Sequence, residues 1–275
     1  MIRFQGQKQV LLHTEVSMPL LGLGVYDIYN KEAERVVSDA LEIGYRLIDT
    51  ASLYKNEKEV GNALKSSGLK REDYFITTKV GNADLGEEKT LQAFEQSLSR
   101  LGLDYIDLYL IHWPIRPHRK EAWKALEKLF YLKKVKSIGV ANYPVPILNE
   151  LMAYSEIVPA LNQVEFSPWL FQAELLDYCR NHKIQLQSYC PLTRGIKLND
   201  KRLETLSRKY NRSPAQLVLR WNIEQGISTI PKTSHKARLK ENFESLDFEI
   251  LKEDWVSMNS YNEEFRICEN PIDFL

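Results

Sequence analysis

The chain has 275 residues, and its 37 lysines and arginines balance 37 aspartates and glutamates. That balance argues against nucleic acid or an acidic membrane as a partner. No run approaches the ~20 apolar residues of a membrane span, and the leading stretch MIRFQGQKQVLLHTE has no apolar core for a signal peptide. Cys179, Cys190 and Cys268 are odd in number and lack metal-ligand spacing. They read as reduced thiols of a cytoplasmic protein without a metal site.

In chain order, segment 9–18 predicts a hairpin that closes the base of a barrel. Eight short, nearly continuous apolar runs follow, at 20–24, 45–49, 74–80, 105–111, 137–141, 160–164, 185–189 and 228–230. Runs of this kind are expected of parallel strands buried on both faces. Amphipathic helices lie between them. Leu91, Phe94, Leu98 and Leu101 recur at three- and four-residue spacing and make one buried stripe, as do Trp123, Leu126 and Leu129 in the next unit. Ser213-Pro214 reads as an N-cap with a first-turn proline, opening a helix with Leu217, Val218 and Trp221. There is no repeat, low-complexity tract or linker, and single α/β barrels commonly reach about 250 residues. The expected fold class is therefore α/β: one (β/α)8 TIM barrel over residues 1–275, with an N-terminal β-hairpin closing the base.

A nucleotide-binding reading of another kind fails. Gly22 and Gly24 have the spacing that opens a dinucleotide fingerprint, but Asp27 stands where the third glycine belongs. Any nicotinamide cofactor the chain used would have to be held by other means.

Three strand-end stretches carry the chemistry: IDTASLYKNE with Asp49 and Tyr54, FITTKV with Lys79, and LYLIHWP with His112. The strand ends of an alternating barrel converge on one rim, so these residues can share a pocket. A free phenol, with a pKa near 10, is a poor acid for a carbonyl at neutral pH, and a nearby ammonium lowers that value. Lys79 is the candidate ammonium, Asp49 its fixed counter-charge, and His112 the group that orients a carbonyl oxygen toward Tyr54. Each residue alone has a plainer explanation. Asp49-Thr50 could cap a helix, Lys79 could be a solvated rim lysine, and His112 a core histidine satisfied by backbone. Together they form a complete acid-base set from consecutive units.

The chain resembles the aldo-keto reductase family over nearly its whole length, through GYRLIDTASLYKNEKEVGNAL, LDYIDLYLIHWP, GVANY, LNQVEFSPWL and IPKTSHKARLKEN. The resemblance implies Asp49, Tyr54, Lys79 and His112 as the catalytic set, with tyrosine as proton donor. It also implies NADPH lying extended across the barrel mouth. Lys232, His235, Lys236, Arg238 and Lys240 fall within nine residues. Such a run is often just a solvated helix start. Yet Thr233 and Ser234 are candidate N-caps, and a helix N-terminus with lysine and arginine suits a phosphate. By resemblance, Lys232, Thr233, Ser234 and Arg238 hold the 2′-phosphate, and Glu241 and Asn242 the adenine end, which predicts NADP over NAD. Tyr189 would stack on the nicotinamide, with Cys190 and Leu192 of the same turn beside the cofactor. Asn142 and Gln163 would read the carboxamide.

The sequence departs from the family in places. Ala141 replaces the usual serine before Asn142, removing a hydrogen bond worth on the order of 1 kcal/mol. His13-Thr14-Glu15 replaces the usual asparagine-glycine turn. Val80 and Gly81 stand where several relatives carry a bulky aromatic, which predicts a more open pocket walled by Tyr26 and Trp113. The tail RICENPIDFL is expected to fold over the mouth, and the loops IRPHRK and TRGIKLND are short. The expected substrate is a small aldehyde, 2-oxoaldehyde, diketo acid or sugar, and the expected assembly a monomer. Two rivals stand beside this reading: an aldolase using Lys79 as a Schiff-base nucleophile, and a barrel that binds NADPH as a redox sensor without significant turnover.

Overall fold

The computed structural model describes Phe4 and residues 7–274. Strands β1 (Gln9–Leu11) and β2 (Ser17–Pro19) form the expected antiparallel hairpin. Its turn places Glu15 at φ 63°, with Glu15 N donating to Leu12 O at 2.9 Å and Leu12 N to Val16 O at 3.0 Å. A left-handed residue closes a three-residue hairpin loop, the role glycine or asparagine usually fills.

The chain then alternates. β3 (Leu23–Gly24) leads to α1 (Asn30–Ile43), β4 (Leu47–Asp49) to α2 (Glu57–Ser66), β5 (Phe75–Val80) to α3 (Glu87–Leu101), and β6 (Ile106–Ile111) to α4 (Arg119–Tyr131). β7 (Val135–Ala141) leads to α5 (Val145–Met152), and β8 (Leu161–Glu165) to α6 (Ala173–Asn181). β9 (Gln185–Tyr189) is followed by two helices, α7 (Lys201–Tyr210) and α8 (Pro214–Glu224). β10 (Ser228–Thr229) is also followed by two, α9 (Lys236–Phe243) and α10 (Lys252–Met258). The units are thus not uniform strand-helix pairs: α7 and α10 are additional. α7 carries its own buried pair, Leu203 and Leu206, and is held at its start by Asp200, whose side chain accepts Arg202 N.

The eight strands β3 to β10 pair in parallel in chain order. A bridge between Leu21 and Thr229 joins the last strand to the first, with Gly22 N on Thr229 O at 2.9 Å and Thr229 N on Leu20 O at 2.7 Å. Gly24 permits this closure, because a Cβ there would lie 2.9 Å from Ile230 O. The glycine pair of the failed fingerprint is therefore there for packing.

Two apolar layers result. Inside the barrel, Leu47, Phe75, Leu108, Leu110 and Leu161 meet Leu12 and Met18 from the hairpin and Phe4 ahead of it, and together these plug the base. Thr14 Oγ1 also meets Ser137 Oγ at 2.7 Å across the floor. Outside, the strands pack on the helices, with Phe94, Leu98 and Leu101 of α3 and Trp123, Leu126 and Leu129 of α4 buried as the stripes predict. Ser213 caps α8 through a reciprocal pair with Gln216, as its sequence suggests. Among the described residues no helix is long and apolar enough to cross a membrane.

Candidate active site at the barrel mouth

Asp49 ends β4, Lys79 lies near the end of β5, and His112 follows β6, so three adjacent strands deliver them to one rim. Tyr54 sits on a short 3-10 turn, Ser52–Tyr54. That turn is pinned on both sides. Ser52 Oγ donates to Lys79 O at 3.1 Å. Buried Asn56 accepts Thr50 Oγ1 at 2.7 Å and donates to Val25 O and Ile28 O at 2.8 and 2.9 Å. Asn56 escaped the sequence reading, and only the close approach of the β3 and β4 loops reveals its role.

Lys79 is the hub. Its Nζ donates to Asp49 Oδ1 at 2.5 Å, Thr50 O at 3.0 Å and Tyr54 OH at 3.4 Å. An ammonium has three hydrogens, and all three are used. Tyr54 OH therefore accepts from Lys79 and keeps its own proton free. The second oxygen of Asp49 accepts Gln163 Nε2 at 2.6 Å. Burial raises the Asp49 pKa against the pull of Lys79, and lowers that of Lys79 against the pull of Asp49. Burial also raises the Tyr54 phenol well above its ordinary value, with Asp49 adding to the rise. The expected lowering by Lys79 is thus outweighed in this dry setting, since desolvation penalises phenolate more than an ammonium already paired with Asp49 rewards it. His112 is held well below the usual histidine value by burial and then by Lys79, so it is a neutral imidazole. Its Nδ1 has no partner among the described residues, and its ring stands 5.6 Å from that of Tyr54, edge to face.

These groups open onto a cavity of about 1280 Å³ that runs from Asp49, Tyr54 and His112 past Asn142, Gln163 and Tyr189 to Lys232, Arg238 and Asn242. Every other assigned site residue lines it except Lys79, which is buried beneath: Tyr26, Trp113, Cys190, Leu192, Thr233, Ser234 and Glu241. The model of the aldo/keto reductase family matches residues 21–263. The chain is 48% identical to glyoxal reductase of Bacillus subtilis, over 97% of each chain. It is 41% identical to methylglyoxal reductase DkgA of Yersinia pestis, over 98% of each. A crystal structure of a Gox0644 variant in complex with NADPH superposes with a TM-score of 0.93 at 36% identity, covering 98% of each chain. The chain belongs to the aldo/keto reductase family. It is an oxidoreductase.

The residues present suit the family's nicotinamide nucleotide. Gln163 Nε2 spends both hydrogens, on Asp49 and on Gln187 Oε1 at 2.7 Å, which leaves its carbonyl oxygen to accept. Asn142 Nδ2 spends one hydrogen on His112 O at 3.0 Å, while its oxygen takes Tyr189 OH at 2.8 Å. One free acceptor and one free donor side by side match a carboxamide. At the other end, Lys232 and Arg238 are exposed and make no ion pair among the described residues, whereas neighbouring Lys236 is taken by Asp39 and Glu42 of α1.

One local expectation is corrected. Neither Thr233 nor Ser234 caps α9: its N-cap is His235, which makes no side-chain cap bond. Thr233 Oγ1 instead accepts His235 N at 3.2 Å, shaping the turn one step earlier. The tail does cross the mouth. Ile267 N and Cys268 N donate to the two oxygens of Glu165 at 2.6 and 3.0 Å, and Ile267, Cys268 and Glu269 line the cavity. Glu165 and Arg194 were missed. The signal for Glu165 was its place two residues after Gln163, on the same face of β8. Arg194 sits at φ 51° in a strained turn, which no residue pattern announces.

Proposed function

We propose that this chain reduces small aldehydes and 2-oxoaldehydes or diketo compounds with NADPH, Tyr54 acting as proton donor. One observation carries the reading: Lys79 donates to Tyr54 OH, which leaves the phenolic proton free to be given to a group in the cavity that Tyr54 lines. Bound NADPH supplies the hydride. Tyr54 gives its proton to the carbonyl oxygen as that oxygen gains charge, and the Lys79 ammonium stabilises the phenolate left behind. Neutral His112 donates a hydrogen bond to the same oxygen and fixes its direction. Asn142 and Gln163 would hold the carboxamide of NADPH, and Tyr189 would pack against its nicotinamide ring. Lys232, Thr233, Ser234 and Arg238 would take the 2′-phosphate, and Glu241 and Asn242 the adenine end. Tyr26 and Trp113 wall the substrate side. The relatives named for glyoxal and methylglyoxal reduction support the small-dicarbonyl class. In this reading the chain works as a monomeric, single-domain enzyme of the cytoplasm.

The test is NADPH consumption with a panel of aldehydes and dicarbonyls. Tyr54→Phe keeps the ring packing but removes the proton, and a loss of about 10²-fold or more in kcat is expected. Unchanged turnover in that variant rules out the mechanism. Lys232→Ala with Arg238→Ala should weaken NADPH binding and leave NADH binding unchanged, and equal weakening of both rules out the phosphate site.

A further inference from the structure

The tail and the turn after β9 meet at the entrance to the cavity. Buried Glu165 holds the tail through the backbone N–H groups of Ile267 and Cys268. In the parallel register, Glu165 lies directly across from Tyr189. Cys268, tied to Glu165, therefore stands beside Cys190, the residue after Tyr189. The two thiols are close enough to perturb each other's titration. Both are free, both are half-buried, and both line the cavity, whereas Cys179 is buried in α6. Arg194 lines the same cavity four residues after Cys190, and its charge favours the Cys190 thiolate.

We propose that Cys190 and Cys268 form a peroxide-responsive dithiol whose closure to a disulfide ties the tail across the mouth and stops turnover. Cys190 reacts first, because the Arg194 guanidinium on the same turn favours its thiolate. The Cys190 thiolate attacks one oxygen of hydrogen peroxide, the O–O bond breaks, and the departing hydroxide takes a proton to leave as water. The resulting sulfenic acid is attacked by the Cys268 sulfur. An S–S bond forms, and a second water carries away the hydroxyl and the Cys268 proton. Two thiols have lost two electrons and one peroxide has become two waters. The disulfide joins the two walls of the entrance covalently, so neither can swing aside to pass cofactor or substrate.

The full-length reduced protein is treated with hydrogen peroxide, then analysed by intact mass, non-reducing peptide mapping and NADPH turnover. The expected result is a loss of about 2 Da, a peptide joining Cys190 to Cys268, and a fall in rate of roughly tenfold or more that dithiothreitol reverses. Cys179→Ser should behave identically, and Cys268→Ser should gain oxygen at Cys190 without any link. Oxygen added to separate cysteines of the unmodified chain with no joining peptide, or a joining peptide with no fall in rate, overturns the proposal. The rate effect rests on the reductase reading, but the link is read without substrate. Its absence refutes the dithiol alone, and a reduced protein that turns over no carbonyl refutes the reductase reading alone.

Discussion

Replacing Asp49 with asparagine strikes the centre of the site. Lys79 and Asp49 are both buried, with Nζ 2.5 Å from Oδ1. At an effective dielectric of about 20, a contact that close represents on the order of 7 kcal/mol of attraction. Much of that offsets the burial of the two charges, and one-sided deletion of a buried pair typically costs about 3–5 kcal/mol. Asparagine adds a second penalty. Both oxygens of Asp49 receive donors, from Lys79 and from Gln163, so the amide of the Asp49→Asn variant must turn its NH2 toward one of them, worth about 1–3 kcal/mol. The next carboxylate that acts on Lys79 is Glu57, already bound to Thr78 and Arg100.

The variant sheds the cost by releasing the Lys79 proton, and that gives the prediction its signature. Lys79 already sits below the ordinary lysine value through burial, with Asp49 opposing the fall. Without Asp49 it falls further, while an unfolded lysine still titrates near 10.4. Between those two values the unfolded chain binds more protons, so stability rises with pH. Thermal melts of Asp49→Asn at about pH 7 should lie on the order of 10 °C below the parent, at about 2–4 °C per kcal/mol. The gap should narrow toward pH ~9.5 as Lys79 turns neutral. A midpoint within about 2 °C of the parent, flat over that pH range, would refute the reasoning.

Three further outcomes follow from the same geometry. His112 is neutral in the fold and held far below the unfolded value near 6.5. Stability should therefore fall as pH drops below that value, by up to about 1.4 kcal/mol per unit, and urea unfolding of His112→Gln should lack this component; equal acid sensitivity would contradict it. Glu165→Gln turns one tail-binding oxygen into a donor facing an N–H, at about 1–3 kcal/mol. KM should rise several-fold with kcat kept, and proteolysis within 266–274 should quicken; an unchanged cleavage rate would sink the idea. Glu15 occupies a left-handed position at φ 63°, so Glu15→Gly should raise stability by about 0.5–1 kcal/mol, and a lower melting point would refute the strain.

What the sequence made legible follows from periodicity. Buried parallel strands must be apolar on both faces, so the runs near residues 47, 76, 108, 138, 162 and 187 stood out, with edges off by a few residues. Asp49, Lys79 and His112 were readable as polar groups interrupting or ending those runs, where burial demands partners. Closing contacts made by backbone left no such trace. Gly24 against Ile230 O looks like half a nucleotide fingerprint. Asn56 looks like any helix-start asparagine, though it clamps two loops. The α9 cap was misplaced because Thr233, Ser234 and His235 can each end an extended segment, and only the fold decides which one does.

The rim divides its labour by backbone rigidity. Asp49, Lys79 and Gln163 stand on strands laddered to neighbours on both sides. The distances of 2.5 to 3.0 Å that fix the acid-base hub are therefore set by the sheet. Asp27, Asn142, Cys190 and Arg194 all line the cavity from loops, and all four are non-glycine residues at positive φ, between 51° and 65°. Each such residue costs on the order of 1–3 kcal/mol unless its surroundings compensate. Asn142 is compensated by bonds to His112 O and Tyr189 OH, which ties its loop to the backbone at the end of β6 and to the end of β9. Arg194 makes no ion pair among the described residues and stands exposed beside the tail. Change on the strands should therefore decide whether a hydride and a proton are delivered, and change on the loops which carbonyl receives them.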